Sequence, residues 1–412
     1  MKPCRSAPRI ISAMPHTSDH ATRFSELDNL LTRHAGLWQI RTFHNTRLCW
    51  HDSHPALCSA LLALDKSTLD KLSSDDKAIA QWLYPWLGND AVRLVELSQL
   101  PRLTQRPISL PSRFDTGIAG RKLQQIQSFA ALLPTENRPL LEWCAGKGHL
   151  GRLLALVDSR QVTSLELSTS LCKEGQIEAT RNNISQQFIC ADALDPNSGN
   201  WLPDHGQVVA LHACGELHTT LMRHWVGSNC ARITISPCCY HLIHTDNYQP
   251  LSACARASTL QLSKLDLQLP LQETVTGGRS IQRKRETEVL WRLAFDEWQR
   301  EVRGIDEYLP LPSPAKSLFS GAFHTFHQWA AQSKGLKPPA SLNENHWLQR
   351  AAVRAELVRL MELVSHFFRR PLELWLALDR VLFLQERGAQ VRLGAFCDKP
   401  VTPRNILIDA QR

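Results

Sequence analysis

The chain has 412 residues, of which 43% are hydrophobic and 21% charged, an ordinary globular composition with room for two or three structural units. A net charge of +8 admits a polyanionic partner without requiring one. Twelve cysteines with no Cys-x-x-Cys pair, beside seventeen histidines, exclude the disulfide framework of a small secreted domain and fit a reducing cytoplasm, and no apolar run approaches the roughly 20 residues that span a bilayer.

Residues 1–23 read as a disordered basic tail, and a start at Met14 would remove nothing that looks folded. From Phe24 the pattern is helical and Trp-rich; in "HPALCSALLALD" Pro55 stands at a helix start with apolar positions at helical spacing behind it. Residues 24–117 are therefore expected to form an N-terminal helical domain, closed by a stretch in which Pro101, Pro107 and Pro111 prevent a long helix. "GRKLQQIQSFAALLP" follows as an amphipathic helix.

The next stretch, "LLEWCAGKGHLG" at 140–151, is a short apolar strand ending in an acid and breaking into Gly146, Gly148 and Gly151. Such a turn brings backbone amides close to a ligand before a helix begins. Its spacing is that of the dinucleotide fingerprint, so a nicotinamide or flavin enzyme is one reading and a turn without a guest is another. Glu142 favours a third, because a carboxylate beside the turn repels a pyrophosphate and attracts an ammonium or sulfonium, and S-adenosylmethionine carries both cations and no phosphate.

Strand and helix patterns then alternate through "VTSLEL", "SLCKEGQIEATRNN", "QFICADA", "QVVALHA", "ELHTTLMRHW" and "RITIS", which calls for a parallel sheet covered on both faces. After Tyr240 the pattern turns to long helices, and near the end a helix, "PLELWLALDRVLFLQERG", precedes two strand-like runs, "QVRLGAF" and "NILIDAQ". The expected organisation is a first sheet segment at 118–241, a helical insertion at 242–370, and a closing helix and β-hairpin at 371–412 that complete the sheet.

Five parallel strands closed by an antiparallel hairpin resemble the Rossmann-like seven-stranded sheet of class I S-adenosylmethionine-dependent methyltransferases. "EWCAGKGHLGRLL", "LHACGELHTTLMRHW", "SPCCYH", "LDRVLFLQERG" and "FCDKPVTPRNILI" are similar to the group that includes methyltransferase-like protein 25 and glutathione S-transferase C-terminal domain-containing protein. The 2′-O-methyltransferases of the tRNA acceptor stem are more distantly similar. The resemblance implies S-adenosylmethionine as cofactor. Glu142, Cys144 and the turn Ala145, Gly146 and Gly148 would hold its methionine part, Glu166 its ribose and Asp192 its adenine amine, with His212 at the methyl group.

Substrates of open α/β sheets bind beyond the carboxyl ends of the strands, so His212, Cys214, Cys238, Cys239, Tyr240 and His241 are expected to flank the transferred methyl. His212 or His241 as general base, a cysteine attacking a pyrimidine ring after Pro237, and small cysteines that merely pack all remain open. Zinc has the right ligand types in Cys214, Cys238, Cys239 and His241, but adjacent cysteines are poor chelating geometry, so no metal is expected.

The Asn/Asp-Pro-Pro-aromatic motif of amino-methyltransferases is absent; "HACG" stands there, which favours ribose over base nitrogen. Arg121, Lys122, Arg279, Arg283, Lys284, Arg285, Arg369 and Arg370 supply positive charge for RNA, with tRNA or rRNA the leading acceptors and a protein or small molecule the alternatives.

Overall fold

The computed structural model describes residues 17–112, 114–272 and 279–412. The expected tail lies partly outside these, as do Gly277 and Gly278 ahead of the basic run, whose Arg279, Arg283, Lys284 and Arg285 fall in the helix Arg279–Arg303. The tail's described part begins as helix at Thr17, so residues 17–23 are helical rather than tail. His20, Phe24 and Leu27 are buried at helical spacing, and Phe24 lies 5.1 Å from the ring of Trp375.

Seven strands form a single sheet: β1 (Leu140–Trp143), β2 (Val162–Glu166), β3 (Gln186–Cys190), β4 (Gln207–Cys214), β5 (Arg232–Cys238), β6 (Gln390–Ala395) and β7 (Ile406–Gln411). Their order is β3-β2-β1-β4-β5-β7-β6, with β7 antiparallel to both neighbours. This is the expected Rossmann-like arrangement. The order reverses between β1 and β4, the switch point beyond which α/β sheets bind ligands.

Alternation along β1 shows how the layers are built. Leu140 joins an apolar core with Ile126 and Phe129 of the helix Gly120–Ala130 and with Leu150, Leu153 and Leu154 of the helix His149–Asp158. The neighbouring Trp143 turns the other way, and its indole N–H donates to the Leu217 carbonyl of the helix Glu216–Val226 at 3.1 Å. At the far edge Asp409 on β7 accepts from Arg232 on β5, at 2.6 and 2.7 Å, and from Arg392 on β6. Burial pushes that carboxyl up, and the hydrogen bonds and charges of the two arginines more than reverse it, so its pKa is lowered.

The chain divides into two compact units whose boundaries differ from the expected ones: residues 1–29, 99–268 and 373–412 make the sheet unit, and residues 30–98 and 269–372 make a helical unit. The N-terminal helices and the insertion are thus one body. Within it Arg354 on the helix Glu344–Phe367, 3% exposed, pairs with Asp296 at 2.6 Å and Glu297 at 2.9 Å, and donates to the carbonyls of Phe43 and Asn45. Arg300 pairs with the same Asp296 and donates to the carbonyl of His44. Two guanidiniums of the insertion therefore satisfy an irregular segment of the N-terminal part. Among the described residues no helix is long and apolar enough to cross a membrane.

Removing one partner of a buried ion pair strands the other's charge. Arg354→Ala should therefore lower the stability of the helical unit by about 3–5 kcal/mol in a denaturant titration. Arg359→Ala, whose contacts with Asp70 and Glu356 lie at the surface, should change it by under about 1 kcal/mol.

Candidate active site

The carboxyl ends of β1, β4 and β5 carry three left-handed residues that are not glycine: Cys144 at φ 56°, His212 at φ 70° and Cys239 at φ 39°. Each such conformation costs on the order of 1–3 kcal/mol and persists where its surroundings impose it, most often at functional sites. All three are residues singled out from the sequence.

After β1 the turn is tied down by Glu166 at the end of β2. Its Oε2 accepts from the Gly146 amide and its Oε1 from the Ser168 amide, each at 2.9 Å. Each carboxylate oxygen keeps a lone pair for a ribose hydroxyl. Burial pushes the Cys144 thiol up to about 12, with Glu166, Cys214 and Asp192 adding to it, which sets those groups around the turn. Asp192 is exposed and accepts from the Leu194 amide at 2.8 Å. A turn ringed by carboxylates is hostile to a pyrophosphate and suited to a cation.

Glu142 is not in the open beside the turn, where the sequence reading put it. Register sets it opposite Ser164, whose hydroxyl donates to Glu142 Oε2 at 2.8 Å, and Ser164 in turn accepts from Gln186 at 2.9 Å. The carboxyl lies under the start of the helix His149–Asp158, and a Cβ at Gly151 would strike it. Burial raises its pKa to about 7 despite help from Ser164 and the amides of Gly151 and Leu150. The carboxyl thus sits beneath the turn rather than at its open side.

On β4, a register shift between Leu211 and Cys214 coincides with the left-handed His212. His212 Nε2 lies 2.7 Å from Gln125 Oε1, and Gln125 Nε2 donates to the Val401 carbonyl at 3.2 Å. Because the amide nitrogen is committed to Val401, the oxygen must face the imidazole, so His212 carries its proton on Nε2 and presents Nδ1 as a lone pair. Loss of hydration lowers the imidazole pKa, Cys239 opposes this, and Lys122 and Arg404 add to it.

The shift also brings Cys214 opposite Cys238, their sulfurs 2.9 Å apart. The three sulfurs of Cys214, Cys238 and Cys239 lie within 4.8 Å of one another. Hydrogen bonds from Cys214 and Cys238 lower the Cys239 pKa, whereas Cys238, the cysteine of the Pro-Cys pair, is 4% exposed with its pKa raised, which unsuits it to attack a pyrimidine. His241 is half-buried, and among the described residues its Nδ1 has no hydrogen-bond partner.

Two features explain how the motifs after β4 and β5 hold each other. Gly215, at φ 57°, lets the Leu242 backbone approach so closely that any Cβ would collide with it, and the Glu216 amide donates to the Leu242 carbonyl at 3.0 Å. Behind them a buried network runs from the closing helix. Arg380 donates to His218 Nε2 at 2.7 Å and to the Tyr248 hydroxyl at 3.0 Å, His218 Nδ1 donates to the Ala213 carbonyl, and Asp379 accepts from Tyr248, Leu251 and Ser252. In the sequence "LDRVLFLQERG" carries a likeness and no role, and Gln125, Ser164 and Gln186 are not among the expected site residues. Among these, Ser164 alone left a local signal, as the small polar residue in an apolar strand.

A sheet of this order, with a glycine turn after β1 and carboxylates at the ends of β2 and β3, has the arrangement of a class I S-adenosylmethionine-dependent methyltransferase domain. Residues 121–246 match the family model of a methyltransferase domain. Over 138 residues the chain is 33% identical to the mouse (Mus musculus) glutathione S-transferase C-terminal domain-containing protein, covering 32% of this chain and 20% of that protein. The human (Homo sapiens) protein of the same name is 32% identical over 130 residues, 30% of this chain and 19% of its own. The match thus spans about a fifth of these curated relatives' length. Among solved structures, magnesium protoporphyrin IX methyltransferase from Synechocystis with bound S-adenosylhomocysteine is 17% identical, covering 39% of this chain and 71% of its own at a TM-score of 0.25.

The raised pKa of Glu142 has a sign that can be measured. The folded protein holds this proton up to about pH 7 while the unfolded chain loses it near 4.5, so the contribution to stability is full below 4.5 and disappears as pH rises through 7. Comparing thermal unfolding of the cofactor-free protein with that of Glu142→Gln should show a loss of up to roughly 3 kcal/mol across this window in the parent and its absence in the variant.

Proposed function

We propose that the protein transfers the methyl group of S-adenosylmethionine to RNA in the cytoplasm, to a ribose or base of a structured RNA such as a tRNA or rRNA. The observation that carries this reading is His212, held left-handed at the end of β4 with its Nε2–H committed to Gln125 and its Nδ1 lone pair presented. S-adenosylmethionine, when bound, supplies an electrophilic methyl. Glu166 and the Gly146 turn would hold the cofactor's ribose and methionine ends, Asp192 would take its adenine amine, and Glu142 would favour its cations from below. His212 Nδ1 accepts the proton of the attacking acceptor as the new bond forms, and Gln125 keeps that nitrogen bare.

The preference for RNA rests on charge and on the methyl-acceptor motifs. Exposed Arg121 and Lys122 begin the helix that also carries Gln125, and Lys122 and Arg404 both act electrostatically on His212. Positive charge gathered around a general base suits a phosphate backbone. Arg369, by contrast, is spent on the carbonyls of His366 and Gln272.

Calorimetry should show saturable binding of S-adenosylmethionine; binding of NADH in its place overturns the cofactor assignment. With methyl-labelled cofactor and RNA, protein and metabolite fractions from cells lacking the protein, label should enter RNA, and label confined to protein or metabolites refutes the acceptor. His212→Ala should keep cofactor affinity and lower turnover by about 10²–10⁴-fold, since a general base acts in the transition state. Gln125→Leu should lower it by a smaller factor with cofactor affinity again unchanged. Wild-type turnover in His212→Ala would make this histidine structural.

A further inference from the structure

Cys238 and Cys239 are consecutive, and in a regular strand consecutive side chains leave on opposite faces. Here they do not. The left-handed backbone at Cys239 swings its sulfur back to the side of Cys238, and the register shift on β4 delivers Cys214 to the same place. Two separate backbone irregularities, each costly in isolation, thus converge three thiols within 4.8 Å of one another. Packing alone does not call for this: three small side chains fill a core from ordinary strand geometry without either irregularity. The objection that neighbouring cysteines cannot chelate applies to an extended strand, and the strand is not extended at this point.

We propose that Cys214, Cys238 and Cys239 bind a zinc ion, with His241 as the fourth ligand. Sulfurs bound to zinc at about 2.3 Å in a tetrahedron sit about 3.8 Å apart, within the span that these three occupy before any adjustment. A set of three cysteines and one histidine is a zinc set by ligand softness and number. His241 follows Cys239 by two residues on the segment that the Leu242–Gly215 contact presses against the end of β4, and it acts electrostatically on Cys239; its ring nitrogens lie outside the cluster formed by the three sulfurs, so it reaches the fourth position by rotating its side chain, and its buried Nδ1 has no hydrogen-bond partner among the described residues. The site lies outside the groups assigned to the cofactor and the acceptor proton. Its role is to fasten the segment after β5 to the end of β4, so that His212 and the acceptor loop keep a fixed geometry. Binding displaces the thiol protons to solvent.

The test uses the full chain purified under reducing conditions, loaded with Zn²⁺ alone and passed through a desalting column. One zinc per chain should remain, and replacement by Co²⁺ should give the intense near-ultraviolet thiolate-to-metal absorption. Cys239→Ser and Cys214→Ser should each lose stoichiometric metal and that absorption. Cys254→Ser, at an exposed cysteine distant in sequence from the cluster, should lose neither. His241→Ala should keep the thiolate absorption and bind more weakly in competition with a chelator. Far-ultraviolet circular dichroism shows whether each variant is folded; if a serine variant unfolds, the parent's own metal content and cobalt spectrum decide. A folded parent that retains no zinc and gives no thiolate absorption overturns the proposal, as does a Cys214–Cys238 disulfide found by mass spectrometry in place of the metal. Failure of methyl transfer with zinc still bound would refute the proposed function and leave this site standing.

Discussion

Handedness of the backbone at the carboxyl ends of β1, β4 and β5 is the constraint on which the site depends. A parallel strand leaving its sheet normally rises into a helix through right-handed conformations, and its side chains keep alternating until it does. Cys144, His212 and Cys239 break that habit at neighbouring strand ends. The first lets the glycine turn fold back to give its amide to Glu166; the second coincides with the shift that aligns Cys214 with Cys238; the third brings Cys239 to the same side. Conformations of this cost need neighbours that over-determine them.

Those neighbours come from distant parts of the chain. Gly215 accepts the Leu242 backbone at a distance no side chain would permit, so the segments after β4 and β5 are locked together. Asp379 and Arg380 of the closing helix then hold the second segment at Tyr248, Leu251 and Ser252 and the first at His218. Burial and the adjacent guanidinium keep His218 neutral, with its pKa far below the ordinary value, so it passes hydrogen bonding from Arg380 to the Ala213 carbonyl without adding charge. A helix near the carboxyl end of the chain thereby stiffens the segments that follow β4 and β5. Preorganisation of this kind matters because methyl transfer demands little beyond alignment and removal of a proton.

The two carboxylates at the glycine turn differ in solvation. Glu166, half-buried, is bonded to the amides of Gly146 and Ser168 at the mouth of the turn. Glu142 is walled in by Ser164, Gly151 and the helix start, and the cost of burying its charge shows in the raised pKa. A cation above the turn would return part of that cost, which couples cofactor binding to ionisation of a group the cofactor does not touch.

How much of this was legible in the sequence follows from the range of each signal. Alternating apolar runs, three glycines after an apolar strand and a terminal pair of strand-like segments are local patterns, and they sufficed for the seven-stranded sheet, its order class and the place of the glycine turn after β1. The residues at the strand ends were legible too, as His and Cys where the topology opens. What those residues do together was not. Period-two alternation says that Cys238 and Cys239 diverge, and a single φ value reverses this; no pattern of residue types encodes that value. The direction of Glu142 depends on its register against Ser164, and the proton on His212 depends on an amide fixed by Val401, 276 residues further along than Gln125. The grouping of residues 30–98 with 269–372 likewise rests on Arg300 and Arg354 meeting carbonyls at 43–45, a long-range satisfaction of buried polar groups that only the tertiary structure could decide.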